Sequence, residues 1–206
     1  MGVIPESVPV HYRTALYNTL LELEPTLCLE VGTGPDANAA RVFARYLQEH
    51  KPYWGMLVTC DVYIHKWFPL DRVRQIVVCP HDTEMLARYH RKSDKQVATM
   101  LEDWQDLAAD SVSVNVAILQ EQLKQLGRSA FDFAFVDGDH SQFGLWKDLR
   151  IVEAVTTWPH YALLDDVLLT THESGQFYQD TLKLQYETYE FGDWPFATGT
   201  ALLWRG

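Results

Sequence analysis

TLCLEVGTGPDANAARVFARYLQEH, residues 26–50, holds the opening of a nucleotide-binding unit in twenty-five residues. Residues 26–31 are mostly apolar and short, as a buried strand requires; G-T-G-P-D is a turn; from 37 to 50 the apolar side chains return at helical spacing. Gly32 and Gly34 let the backbone approach a ligand closely, and with Ala37 they satisfy G-x-G-x-x-A. Glu30 does not belong to that dinucleotide pattern, which places an apolar strand residue there. A carboxylate at this point suits a ligand that presents a cation or hydrogen-bond donors.

On the N-terminal side, Leu16, Leu20 and Leu23 mark a leading helix over 10–24, closed by Pro25. On the other side, 54–62 reads as a second strand ending at Asp61, 66–74 as a short helix and 74–82 as a third strand. FDFAFVD (131–137) is a fourth strand followed by a helix at 143–155, and YALLDDVL (161–168) a fifth followed by a helix at 175–186. YETYEF and TALLWR then pair antiparallel across GDWPFATG. The stretch 83–128 is polar and mostly helical, too long for one crossover, which predicts an added helix or lid. Within it SVSVNV (111–116) alternates as a strand does. The expectation is a single α/β domain over 1–206: a Rossmann-like, doubly wound, mostly parallel seven-stranded sheet with a C-terminal antiparallel hairpin.

Composition narrows the partners. The chain is 47% hydrophobic and 22% charged, with a formal charge of -11. That charge argues against duplex nucleic acid, whose binding draws on Lys and Arg, and favours a small neutral, cationic or metal-bridged substrate. No apolar run is long enough to span a membrane, no signal peptide is evident, and Glu6 breaks the myristoylation pattern, so a cytoplasmic location is expected. Cys28, Cys60 and Cys79 show no C-x-x-C spacing and read as core thiols. Trp146, Trp158 and Trp204 read as core or sheet-edge packing, whereas Trp67, Phe68, Trp194 and Phe196 fall in connections that could wall an aromatic pocket. A homodimer is carried as an open expectation.

In open α/β sheets ligands bind beyond the carboxyl ends of the strands. Glu30, Asp61, Asp137, Asp139, His140, Asp165 and Asp166 should therefore share one rim, at a cost in repulsion unless cations or donors are present. Asp61 can accept from two ribose hydroxyls, and His81–Asp82, after the third strand, could reach the adenine end of a cofactor. Asp137, Asp165 and Asp166 offer oxygens from adjacent strand ends to a hard cation such as Mg²⁺. His140, three residues past Asp137, could take a proton from a hydroxyl that such an ion acidifies. The same acids could instead cap helices: Ser141 or Asp139 at the helix near 143, Asp166 at a turn.

LEVGTGPD, Asp61, FDFAFVDGDHSQFGLWKDL and YALLDDVL together resemble the class I S-adenosylmethionine-dependent methyltransferases. The likeness is nearest to the small-molecule O-methyltransferase branch that includes catechol O-methyltransferase and the macrocin-type sugar enzymes. It spans 26–204, although 83–128 matches no part of the family. It implies that Glu30, Gly32, Thr33 and Gly34 hold the amino-acid end of the cofactor, and that Asp61 holds its ribose, with Asp82 and Asp137 alongside. It implies Asp137, Asp165 and Asp166 as ligands of Mg²⁺ and His140 as general base. The implied reaction is in-line attack of a small-molecule hydroxyl on the sulfonium methyl. Two alternatives stand beside it: an NAD(P)-dependent oxidoreductase, against which Glu30 and the 27-residue spacing from Gly34 to Asp61 argue, and a methyltransferase-like binding protein without catalysis.

Overall fold

The computed structural model describes residues 12–62, 64–65, 70–79, 81, 110–168, 171–191 and 199–205. Asp82, Trp67, Phe68, Trp194 and Phe196 lie outside the described residues, as does most of the segment expected to form a lid. The strands are β1 (Leu27–Val31), β2 (Met56–Asp61), β3 (Val73–Val77), β4 (Phe133–Val136), β5 (His160–Leu164), β6 (Glu187–Phe191) and β7 (Thr200–Arg205). They form one seven-stranded sheet in the order β3-β2-β1-β4-β5-β7-β6. The first five strands run parallel, and β7 enters antiparallel between β5 and β6. The doubly wound sheet and its closing hairpin are thus as expected.

β1 and β4 lie in the middle of the sheet and are buried at every position, which is why both read as unbroken apolar runs. Side-chain alternation sends Leu27, Leu29 and Val31 to one face and Cys28 to the other. The first face packs under α3 (Ser111–Gln125), α4 (Gln142–Val155) and the helical run that begins with α5 (Glu173–Phe177), through Leu119, Leu123, Leu145, Leu149 and Phe177. The second packs under α1 (Tyr17–Leu23) and α2 (Asn38–His50), where Val42, Phe43, Tyr46 and Leu47 of α2 sit at the helical spacing read from the sequence. None of the three cysteines forms a disulfide, and all are buried. No helix among the described residues is long and apolar enough to cross a membrane.

Four expectations are corrected. SVSVNV is the first part of α3, not a strand, because Ser111, Asn115, Leu119 and Leu123 fall four apart on one buried face. The helix expected through 74 does not reach it: Asp71 and Arg72 turn, and β3 begins at Val73. The fifth strand stops at Leu164, so Asp165 and Asp166 follow it, and Asp166 adopts a left-handed φ of 56° that ends the extended run. Trp146 and Trp158 are not core residues; they are 41% and 62% exposed.

Candidate active site

The rim opens at the carboxyl ends of β1, β2 and β4, where β1 turns into α2. Gly32 has φ +87°, and a Cβ there would lie 2.1 Å from the Asp137 carbonyl oxygen, so only glycine lets the β1 and β4 ends meet. Gly34 also has a positive φ, +63°, but nothing lies within 4 Å of where its Cβ would be. It faces a cleft of about 830 Å³, counted out to its open mouth. A smaller hollow of about 350 Å³, lined by Thr33, Asn38 and Asp137, sits against the start of α2. No side chain caps that helix, whose first residue follows Ala37 at φ 50°.

Asp61 closes the turn. Its Oδ2 accepts from the Gly34 amide at 3.2 Å and pairs with His65 Nε2 at 2.8 Å, while Oδ1 accepts from the Val62 amide at 2.7 Å. The carboxylate is therefore fixed in direction before any ligand arrives, and it lines the cleft. His65 was not foreseen as its partner.

Glu30 lies beneath this turn rather than on the rim. It is fully buried, on the α2 face, beside its register partner Thr59, whose hydroxyl donates to Oε2. Thr33 Oγ1 adjoins Thr59 Oγ1 at 2.5 Å, so a chain of hydroxyls links Glu30 to the smaller hollow. Burial pushes the Glu30 carboxyl up to about 8; the Thr59 hydrogen bond opposes this, the Asp137 and Asp61 carboxylates add to it, and the Ala40 amide opposes it least. Oε1 makes no full hydrogen bond. A glycine cradle and a preset Asp61 carboxylate that lines the cleft fit a nucleoside, with Glu30 buried beneath them.

The far side of the rim is more open. His140 Nε2 lies 3.9 Å from Asp137 Oδ1 and 3.8 Å from Asp166 Oδ2, and its side chain is 39% exposed. Ligand atoms of Asp137, His140 and Asp166 all fall within 4.8 Å of one another, a spacing that suits one cation. Asp165 lies outside that group and is 5% exposed. The Asp137 and Asp166 carboxylates suit a hard divalent ion such as Mg²⁺ or Mn²⁺, whereas the His140 imidazole is a donor for softer ions and adds nothing to a Mg²⁺ site. The helix-cap alternative holds for Asp139 and Ser141: Ser141 Oγ accepts from the Gly144 amide and donates to Asp139 Oδ2, each at 2.9 Å. The seven groups thus do not all share one crevice: Glu30 is below it, and Asp139, which lines the cleft, is engaged with Ser141 in the cap.

One cluster escaped the sequence reading. His81, buried rather than superficial, reaches Ser111 through Nδ1 at 2.9 Å and Asp148 through Nε2 at 2.6 Å; Lys147 donates to Ser111 at 3.0 Å. His81 and Asp148 line the cleft. The signal was present in α4, where Asp148 occupies a helical face otherwise made by Leu145, Leu149 and Val152.

No family model and no curated protein matches the sequence. Solved structures do match its fold. An O-methyltransferase from Bacillus cereus in complex with S-adenosylhomocysteine is 14% identical, with 98% of this chain and 84% of that one covered at a TM-score of 0.55. The O-methyltransferase TomG from Streptomyces achromogenes, in complex with S-adenosylmethionine, is 14% identical over 98% and 82% at 0.52. A putative ribosomal RNA methyltransferase from Plasmodium falciparum is 14% identical over 97% of each chain at 0.55. A dinucleotide-binding sheet continues parallel past β5 in the order 3-2-1-4-5-6, whereas here β7 intervenes antiparallel. The chain has the fold of the class I S-adenosylmethionine-dependent methyltransferases.

Proposed function

We propose that the chain is an S-adenosylmethionine-dependent methyltransferase that methylates a hydroxyl of a small molecule in the cytoplasm. The observation that carries this is one rim with two ends: a glycine cradle closed by a fixed Asp61, and an accessible imidazole between two carboxylates. When bound, the cofactor supplies a methyl group on a positively charged sulfur. Gly32, Thr33, Gly34, Asp61 and Asp137 bind and orient it, Glu30 supports their turn from beneath through Thr59 and Thr33, and Asp82, read from the sequence, is a further candidate for that role. His140 Nε2 takes the proton of the acceptor hydroxyl, and the Asp137 and Asp166 carboxylates offset the charge it gains. The charge of -11 suits a small acceptor better than a polyanion.

The spacing of Asp137, His140 and Asp166 favours a second reading, in which a divalent cation is held there and lends Lewis acidity to the acceptor oxygen. Asp165 would then support the loop rather than ligate. Calorimetric titration of S-adenosylhomocysteine and S-adenosylmethionine, with and without Mg²⁺, tests both. Micromolar binding is expected. Binding that requires Mg²⁺ would favour the cation reading, and no binding under either condition would overturn the cofactor assignment. Catechols and sugar hydroxyls are the first acceptors to screen.

A further inference from the structure

Beneath the glycine cradle, three buried side chains are set in line by the register of two strands. Glu30 and Thr59 stand opposite one another in β1 and β2, both wholly buried. The ladder runs on to the Gly32 amide, which donates to the Cys60 carbonyl at 2.9 Å, and Thr33, one residue further, meets Thr59. Thr59 thus joins Glu30 Oε2 on one side and Thr33 Oγ1, at 2.5 Å, on the other. The Thr33 hydroxyl has Thr59 as its only hydrogen-bond partner among the described residues. Thr33 lines the smaller hollow together with Asn38 and Ala39, at the uncapped start of α2.

A file of hydroxyls bonded head to tail points one way at a time, because each carries a single hydrogen. Oε1 of Glu30 makes no full hydrogen bond, so a proton there would find no acceptor, whereas on Oε2 it donates to Thr59. Thr59 then donates to Thr33, and the Thr33 hydrogen is left for the hollow. Loss of the Glu30 proton reverses the file: Thr59 donates to the carboxylate, Thr33 donates to Thr59, and the hollow meets a lone pair. The other titratable groups around Glu30 do not compete for this role. Asp137 beyond β4 and Asp61 of β2 are carboxylates that favour its protonated form. The Cys28 and Cys60 thiols are kept neutral by their own burial. From α2 comes the Ala40 amide, and the one buried titratable residue of that helix, Tyr46, bonds the Pro25 carbonyl ahead of the other end of β1.

We propose that cofactor binding is proton-linked through this file: with Glu30 protonated, Thr33 offers its hydrogen to the carboxylate of the ligand, and with Glu30 ionised it offers a lone pair and holds the ligand more weakly. This rests on the cofactor reading above and adds a control to it. The free amides at the start of α2 favour an anion in the hollow, so the direction of one hydroxyl decides whether Thr33 joins them or opposes them. Burial holds the Glu30 carboxyl at about 8. The ligand prefers the protonated form, so affinity is full below that value and falls as pH rises through it.

The test is calorimetric binding of S-adenosyl-L-homocysteine to the full chain between about pH 6.5 and about 9, in the wild type, Glu30→Gln and Thr33→Val. The amino group of the ligand titrates alike in all three, so the differences between the profiles are what is read. Wild-type affinity should fall about fivefold or more across the range relative to Glu30→Gln. Thr33→Val removes the last member of the file and leaves Glu30 bonded to Thr59. Its profile should run parallel to that of Glu30→Gln, whatever its absolute affinity. A Thr33→Val profile as steep as that of the wild type would overturn the inference, since the charge would then act through space. Wild-type affinity that is flat relative to Glu30→Gln, or that rises with pH, would overturn it as well, and in each of these cases the cofactor reading stands. If Glu30→Gln does not fold, the wild type against Thr33→Val carries the same decision. Binding by the wild type at no pH would remove the cofactor reading and this inference together.

Discussion

The two ends of the rim are built differently. At the β1–β2 end, Glu30 is wholly buried, Gly32 is wedged against β4, and both oxygens of Asp61 already hold main-chain amides. At the β4–β5 end, His140 is 39% exposed, and it meets Asp137 and Asp166 at nearly 4 Å, beyond hydrogen-bond length. One end is finished before a ligand arrives; the other leaves its groups room to settle around one. That contrast suits a ligand of fixed shape on one side and an acceptor of variable shape on the other.

The hardest way to break the closed end is Gly32→Ala. The new Cβ would overlap the Asp137 carbonyl at a φ of +87°, and that contact is backbone, which cannot swing aside. A stability loss above about 3 kcal/mol in denaturant unfolding is expected, together with loss of S-adenosylhomocysteine binding; a stable, binding-competent variant would show that the cradle is not rigid. The open end should break next and differently. His140→Ala should lower turnover by roughly 10²–10⁴ with cofactor affinity within about twofold of wild type by calorimetry. A parallel loss of affinity would erase the distinction between the two ends.

Glu30 sharpens the comparison through pH. Its folded value of about 8 stands above the ordinary 4.5, so the folded state retains a proton that the unfolded chain has released. Its contribution is fully present below 4.5 and is lost as pH rises toward about 8. Stability should therefore decline across that window, and Glu30→Gln should flatten the decline when unfolding is followed at a series of pH values. An identical profile in the variant would mean that Glu30 is ionised in the folded protein.

Much of the closed end was legible in the sequence for a physical reason. Strands buried on both faces are apolar throughout, so β1 and β4 announced themselves, and an acid or a pair of glycines at their ends stood out. The His81–Asp148 network was not legible, because its members lie 67 residues apart and meet only when α3 and α4 pack together. The same network explains the misread start of α3. Ser111 and Asn115 are polar residues on a buried face, used by His81, Lys147 and the Cys79 backbone, and they disguise a helix as an alternating strand. At the metal candidate, the order Asp165–Asp166 was plain, but which of the two turns toward His140 depends on the left-handed backbone of Asp166.

The smallest expected effect separates scaffolding from chemistry inside the D-G-D-H-S loop itself. Ser141 begins α4 by accepting from the Gly144 amide and donating to Asp139, whose Oδ1 accepts in turn from the Ser141 amide at 2.9 Å. These bonds satisfy helix-end groups that would otherwise be unpaired. Ser141→Ala should cost about 1 kcal/mol of stability, measured as a shift in denaturant midpoint, while turnover stays close to wild type. Ser141→Asp, which restores a capping acceptor but sets a second carboxylate beside Asp139, should recover only part of that loss. The placement of His140 rests as well on its carbonyl, which accepts from the Ser174 amide at 3.1 Å, and on the neighbouring His172 ring. A large fall in turnover from Ser141→Ala, with stability preserved, would mean that the cap and not α5 sets the imidazole, and that the open end is held more tightly than its exposure implies.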